Sequence, residues 1–159
     1  MLYQALGRAD EAKAAYEHAL VLEPDFIPAM LNLADWYRAQ GQDQRALPQL
    51  QKALRVLPDN IDANYAIGLL YIRLKNLGLA TESLQKAASL APDISHYSYV
   101  YAVALFESGK REWAITSLKQ TLNRHPGNPD ILSALASYLN AMGRSEDAKR
   151  YADQLLERQ

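Results

Sequence analysis

The chain has 159 residues, of which 49% are hydrophobic and 22% are charged, and its formal net charge is −1. This balance is typical of a folded globular protein, and it lacks the basic excess with which nucleic-acid-binding proteins neutralise phosphates. The absence of cysteine excludes disulfides and thiolate metal sites. It favours a cytoplasmic location, and a periplasmic one is compatible if the chain is a fragment of an exported protein. No apolar run reaches the roughly 18 residues of a membrane span.

One alanine position recurs every 34 residues along the chain without a slip. A glycine lies five residues before it in four of the five copies, and Lys75 stands there in the remaining copy. A proline lies twelve residues after it in four copies. A fixed period of this length indicates a stacked helical repeat. The alanines are Ala12, Ala46, Ala80, Ala114 and Ala148.

Each repeat is predicted to contain two antiparallel helices, the first ending near the glycine position and the second ending before the proline. Asn128 and Pro129 are a suitable cap and first-turn pair for one of them. The predicted first helices are 28–40, 62–74, 96–108 and 130–142, and the predicted second helices are 44–56, 79–90, 112–124 and 146–157.

The same pattern predicts one domain, 1–159, that begins with an incomplete repeat, 1–26. About eight residues of that repeat's first helix would precede Met1 if the period of 34 holds. Either the chain is a fragment of a longer protein, which we favour, or it starts on a half helix. The complete repeats are predicted at 27–60, 61–94, 95–128 and 129–159.

Two positions depart from the repeat. Pro48 falls inside a predicted second helix, where its missing N–H predicts a local kink or a late helix start. Asn76 follows Lys75 at the expected glycine position, and asparagine tolerates the left-handed conformation. We therefore expect Asn76 to close that helix, and Gly78 to loosen the start of the next one.

Small residues recur on both helices of each repeat, with the alanine series on the second helix and Ala34, Gly68, Ala102 and Ala136 on the first. Small side chains at these points allow the two helix backbones to approach closely. A bulky side chain at one of the alanines would overpack the helix pair, at a cost of about 1–3 kcal/mol.

This pattern resembles the tetratricopeptide repeat (TPR) family over essentially the whole chain. The resemblance implies an all-α, right-handed superhelical solenoid of about four and a half repeats, with a concave groove lined by the first helix of each pair. It also implies that the activity is binding a peptide, a helix or a folded partner protein.

The groove-facing positions that the resemblance implies are mainly apolar and aromatic in the middle of the chain. We predict that they hold an apolar or amphipathic segment of a partner, with Tyr65 and Tyr99 as rigid anchors. The alternative is that these residues pack against the next first helix. Lysine, asparagine and arginine, which in one TPR subclass grip a C-terminal carboxylate, are absent from the matching positions. The predicted partner-binding residues are Leu31, Asp35, Arg38, Tyr65, Leu69, Ile72, Tyr99, Val103 and Phe106.

Signals for catalysis are weak, and the chain is not predicted to be an enzyme or to hold a cofactor or metal. His96 is the one histidine at a groove position, with Asp62 and Asp130 one repeat away on either side. A lone solvated histidine is the simpler interpretation than a metal site. Ser83 and Lys86 match a serine–lysine spacing, but the other motifs of such enzymes do not occur.

Other functions compatible with this sequence are structural. The chain could serve as a spacer or self-association module of a larger protein, including an enzymatic or cofactor-carrying one. Self-association would use the open N-terminal end around Leu2, Tyr3 and Leu6 and would give a homodimer. Nucleic acid is not predicted as a partner, because the groove positions carry both signs of charge.

Overall fold

A computed structural model describes the backbone of residues 2–157 and the side chains of residues 7–157. Over this range the chain forms nine α-helices and no strand, which confirms the all-α prediction. Helices 2 to 9 begin and end within two residues of the predicted bounds. In chain order the helices are α1 (Leu2–Leu22), α2 (Ile27–Ala39), α3 (Asp43–Val56), α4 (Ile61–Arg73), α5 (Leu77–Leu90), α6 (Ser95–Glu107), α7 (Arg111–Arg124), α8 (Pro129–Ala141) and α9 (Ser145–Leu156).

The helices fall into two compact units, one ending at Asn76 and the other beginning at Leu77. Unit 1 contains α1 to α4 and unit 2 contains α5 to α9. Within each unit every helix packs against the next helix in the chain. Because the connecting turns are short, successive helices within a unit are antiparallel neighbours. The description of 1–159 as one domain stays a prediction.

Small residues lie at the centre of the packing in both units. The repeated alanines of α3, α5, α7 and α9 are all buried, and Ala80 and Ala114 are fully buried. In unit 1, Ala46 and Leu50 of α3 form a cluster with Ile67 of α4. The main cluster of unit 2 joins α6 to α9: Ala102, Ile115, Leu118, Ile131, Ala134, Leu135, Leu139 and Ala148.

Each first helix closes in the same way. The residue two positions before the next helix has a positive φ, and the following N–H donates to the carbonyl five residues back, which is the Schellman arrangement. Glycine holds this conformation in three of the four cases, and Lys75, with φ of 60°, holds it in α4. The prediction that Asn76 takes the left-handed conformation is therefore wrong. The N–H of Asn76 donates to the carbonyl of Tyr71, and this hydrogen bond requires the left-handed conformation at position 75.

Two further predictions about helix starts are corrected. Helix α3 begins at Asp43, five residues before Pro48, so Pro48 does not delay the helix. Pro48 cannot donate to the carbonyl of Gln44, but both residues are exposed, so water can reach that carbonyl. Gly78 is the second residue of α5, so it does not loosen the start that was predicted at residue 79. The kink at Pro48 stays a prediction.

Asparagine caps start the first helices of two repeats. Asn128 Oδ1 accepts the N–H of Ile131 at 3.1 Å, as the sequence predicted for α8. Asn60 caps α4 in the same way, accepting the N–H of Ala63 at 2.8 Å. Asn128 also donates from its side-chain amide to Ser95 Oγ at 3.1 Å, so this cap ties α8 to α6.

Candidate functional site: a groove between α2 and α4

An open cavity of about 700 Å³ lies between α2 and α4 in unit 1, and α3 contributes part of its lining. This volume falls in the range of sites that bind small molecules or peptide side chains. We call this cavity the unit-1 groove. Six of the nine predicted partner-binding residues line it: Leu31, Asp35 and Arg38 from α2, and Tyr65, Leu69 and Ile72 from α4. The remaining lining residues are Asn32, Ala34, Ala46, Leu50, Asp62, Ala66, Leu70 and Arg73.

One face of α4 forms a long wall of the groove. Asp62, Tyr65, Leu69 and Ile72 are spaced three or four residues apart, which aligns them along one side of a helix. With a rise of about 1.5 Å per residue, the ten steps along the helix from Asp62 to Ile72 span about 15 Å. The three apolar or aromatic side chains are half-buried, and Asp62 is exposed. The wall is therefore apolar along most of its length and acidic at one end.

Four charged side chains line the groove, and most of them have internal partners. Arg38 Nη2 lies 3.4 Å from Asp35 Oδ1, one turn away on α2. Arg73 Nε lies 3.1 Å from Asp43 Oδ2 at the start of α3. Asp62 has no hydrogen-bond or ion-pair partner among the residues that the structure describes. The groove therefore has one carboxylate that no cation among the described side chains compensates.

The three predicted binding residues of unit 2 lie on α6. Two of them pack against other side chains of unit 2. Tyr99 packs against the α6–α9 cluster. The Phe106 ring stacks on that of Tyr138, with centroids 3.9 Å apart and an interplanar angle of 7°. Val103 is half-buried. For Tyr99 and Phe106 this is the arrangement that the packing alternative describes, and a role for all three in partner binding stays a prediction.

Burial changes the acidity of two tyrosines in unit 2. Desolvation raises the pKa of Tyr101 above its ordinary value of 10.0. Desolvation also raises the pKa of Tyr138, and the nearby Tyr99 and Glu107 add to the effect because each disfavours a second negative charge.

Tyr101 also lines a second, smaller cavity of about 220 Å³ formed by α5, α6 and α7, together with Ser98 and Arg124. Most of its lining side chains carry hydroxyl, amide or guanidinium groups. The repeat pattern does not indicate this cavity, because its residues come from three helices and no two share a position in the repeat.

Three further features of the sequence concern metal binding, membrane spans and self-association. Among the described residues, no three histidine or acidic side chains meet as a metal-binding group. None of the described helices is both long and apolar enough to cross a membrane. The side chains of Leu2, Tyr3 and Leu6, which were predicted to mediate self-association, lie outside the described residues.

Short helices that pack on their chain neighbours within each unit, with a buried alanine recurring every 34 residues, define a helical-repeat protein. A sequence model described as tetratricopeptide repeat matches residues 28–159, and another with the same description matches residues 1–26. The chain belongs to the tetratricopeptide repeat family, as its residue pattern indicated.

Several named proteins are similar in sequence. TPR repeat-containing protein YpiA of Bacillus subtilis is 23% identical over 126 residues, which is 79% of this chain and 30% of that protein. TPR repeat-containing protein PA4667 of Pseudomonas aeruginosa is 27% identical over 158 residues, which is 96% of this chain and 26% of that protein. The chain thus spans less than a third of the length of these relatives.

Solved structures share the fold. A crystal structure of MamA superposes with a TM-score of 0.84 at 22% identity, covering 97% of this chain and 90% of MamA. The structure of YrrB, titled a TPR protein with an unusual peptide-binding site, has a TM-score of 0.79 at 22% identity, covering 98% of this chain and 80% of YrrB. At these identities the likeness shows the fold.

Proposed function

We propose that this chain is a non-enzymatic protein-interaction module that binds a peptide or helix of a partner protein in the unit-1 groove. The observation that carries the proposal is that six groove positions, taken from two repeats, line one open cavity with an apolar wall. Membership of the TPR family supports it, as does the peptide-binding site named for YrrB. The unit-2 residues Tyr99, Val103 and Phe106 are proposed as secondary contacts.

The chemistry of the groove favours a protein segment with apolar side chains. Tyr65, Leu69 and Ile72 are half-buried in the free chain, so covering them removes apolar surface from water. Their positions on a regular helix hold them in place, so little backbone entropy is lost on binding. A wall about 15 Å long accommodates about five residues of an extended segment or about ten residues of a helix.

Selection from a random peptide display library, followed by fluorescence anisotropy with the enriched peptides, tests the proposal. The central variant is Leu69→Arg, which places a charge on the groove wall. The control is Val56→Arg, because Val56 is also in unit 1, is 39% exposed and does not line the groove. We expect Leu69→Arg to weaken binding at least about tenfold, since the loss of one buried anchor costs about 2 kcal/mol, and Val56→Arg to leave it unchanged. No enrichment, or equal binding by both variants, would contradict the proposal.

The alternative function, a spacer or self-association module of a larger protein, makes a different prediction. Sedimentation equilibrium of the wild-type chain would show a mass that rises with concentration if the chain forms homodimers. A groove that binds a partner requires no such rise. The two functions are therefore separated by one measurement on the same sample.

A further inference from the structure

We infer that the segment bound in the unit-1 groove carries a lysine or arginine that pairs with Asp62, followed by apolar side chains that cover Tyr65, Leu69 and Ile72. This inference rests on the proposed function and specifies the chemistry of the partner. It depends on the charges of the groove and on the position of Asp62 along the wall of α4.

Two ion pairs neutralise the guanidinium groups at the groove. Asp35 compensates Arg38, and Asp43 compensates Arg73, so neither guanidinium needs an anion from a ligand. Asp62 has no such partner among the described residues, and it lines the same cavity. A ligand cation beside Asp62 would gain an attraction that no internal group satisfies, whereas a ligand carboxylate there would be repelled. The groove therefore selects a basic group at this end.

The geometry gives the spacing within the ligand. Leu69 lies seven residues after Asp62, or about 10 Å along the helix axis at about 1.5 Å per residue. An extended ligand rises about 3.3 Å per residue, so its basic residue would stand about three positions from the apolar residue over Leu69. A helical ligand would need about seven positions for the same distance. Both spacings can be read directly from selected peptide sequences.

Asp62 also has a role that requires no ligand, because an acid in the first turn of a helix interacts favourably with the helix dipole. Asp130 provides the matched control. It occupies the same position in the first turn of α8, is likewise exposed and lines none of the cavities described above. Replacing either residue with asparagine changes the net charge and the interaction with the helix dipole equally. A difference in affinity between the two variants therefore comes from the position of Asp62 in the groove.

The test uses the full 159-residue chain and a random peptide display library. Wild type should enrich peptides with lysine or arginine at one of the two spacings, and D62N should lose this preference while D130N keeps it. In fluorescence anisotropy with an enriched peptide, D62N should weaken binding about 2- to 5-fold at low salt, as expected for an exposed ion pair. The difference should shrink in 0.5 M salt, where screening is strong.

The outcomes separate this inference from the proposed function. Enriched peptides that are sensitive to Leu69→Arg but show no basic preference would overturn the inference and leave the groove as the binding site. Equal weakening by D62N and D130N would also overturn it, since the effect would then come from helix stability or net charge. A failure to enrich any peptide, or an affinity that Leu69→Arg leaves unchanged, would overturn both this inference and the proposed function.

Discussion

The rings of Phe106 and Tyr138 lie face to face with centroids 3.9 Å apart, so the first helices of two successive repeats are joined by an aromatic stack. The guanidinium of Arg111 lies over the Phe106 ring as well, 4.9 Å from its centroid. At the same repeat position in unit 1, Ile72 lines an open cavity. One position of the repeat therefore serves internal packing in unit 2 and borders the groove in unit 1.

This difference predicts unequal effects on stability. Phe106→Ala removes the stack and the packing around it, and should lower the free energy of unfolding by about 2 kcal/mol or more. Ile72→Ala, at the equivalent position, should cost only about 1 kcal/mol or less, since its side chain faces the groove and is not part of a buried cluster. Urea denaturation followed by circular dichroism measures both. Equal losses would show that Ile72 is as firmly packed as Phe106.

The left-handed conformation of Lys75 predicts a stabilising substitution. A non-glycine residue at positive φ costs about 1–2 kcal/mol, and the other three first helices place glycine there. Lys75→Gly should raise the free energy of unfolding by about 1 kcal/mol, after the greater entropy of glycine in the unfolded chain is included. Asn76→Gly is the control, because Asn76 does not have a positive φ. A gain from Asn76→Gly without one from Lys75→Gly would contradict the observed turn.

The alanine positions predict sensitivity to added volume. Ala114 is fully buried in α7, so Ala114→Leu adds atoms where no space exists and should destabilise the chain by about 1–3 kcal/mol. Ala15→Leu in α1 makes the same chemical change at an exposed site and should lie within about 0.5 kcal/mol of wild type. Thermal and urea unfolding of both variants measure the contrast. A tolerated Ala114→Leu would mean that the close approach of helices does not depend on alanine.

The raised pKa values of Tyr101 and Tyr138 predict a loss of stability in alkali. As pH rises past the ordinary tyrosine value of 10.0, the unfolded chain loses these protons before the folded chain does. The unfolded state then binds fewer protons, so the free energy of unfolding falls with rising pH above about 10 and does not depend on these two groups well below it. Urea denaturation between pH 8 and about 11 measures the slope.

The double variant Tyr101→Phe/Tyr138→Phe serves as the comparison for that experiment. Phenylalanine keeps the ring and removes the ionisable hydroxyl, so the decline in stability above pH 10 should be shallower than in wild type. An unchanged slope would assign the alkaline loss to other groups.

The sequence by itself determined the repeat and, to within two residues, the bounds of α2 to α9. The period of 34 returns alanine, glycine and proline to fixed positions, and each of these residues has a distinct backbone or packing requirement. The resemblance to the tetratricopeptide repeat family, which that period carries, implied nine groove residues, and six of them line one cavity. The local chemistry of the Asn128 cap was also sufficient to place the start of α8.

The tertiary structure alone decided which residue adopts the left-handed turn after α4, because backbone hydrogen bonds to Tyr71 and Ile72 set the register and override side-chain preference at Lys75. The tertiary structure alone also distinguished Phe106, which packs on Tyr138, from Ile72, which lines an open cavity. The two residues occupy the same repeat position but have different neighbours. The structure also showed that Asp62, unlike Arg38 and Arg73, has no ion-pair partner among the residues that it describes. The ion pair of Arg73 with Asp43 joins residues that are 30 positions apart in the chain. The repeat pattern does not indicate which charged side chains meet in this way.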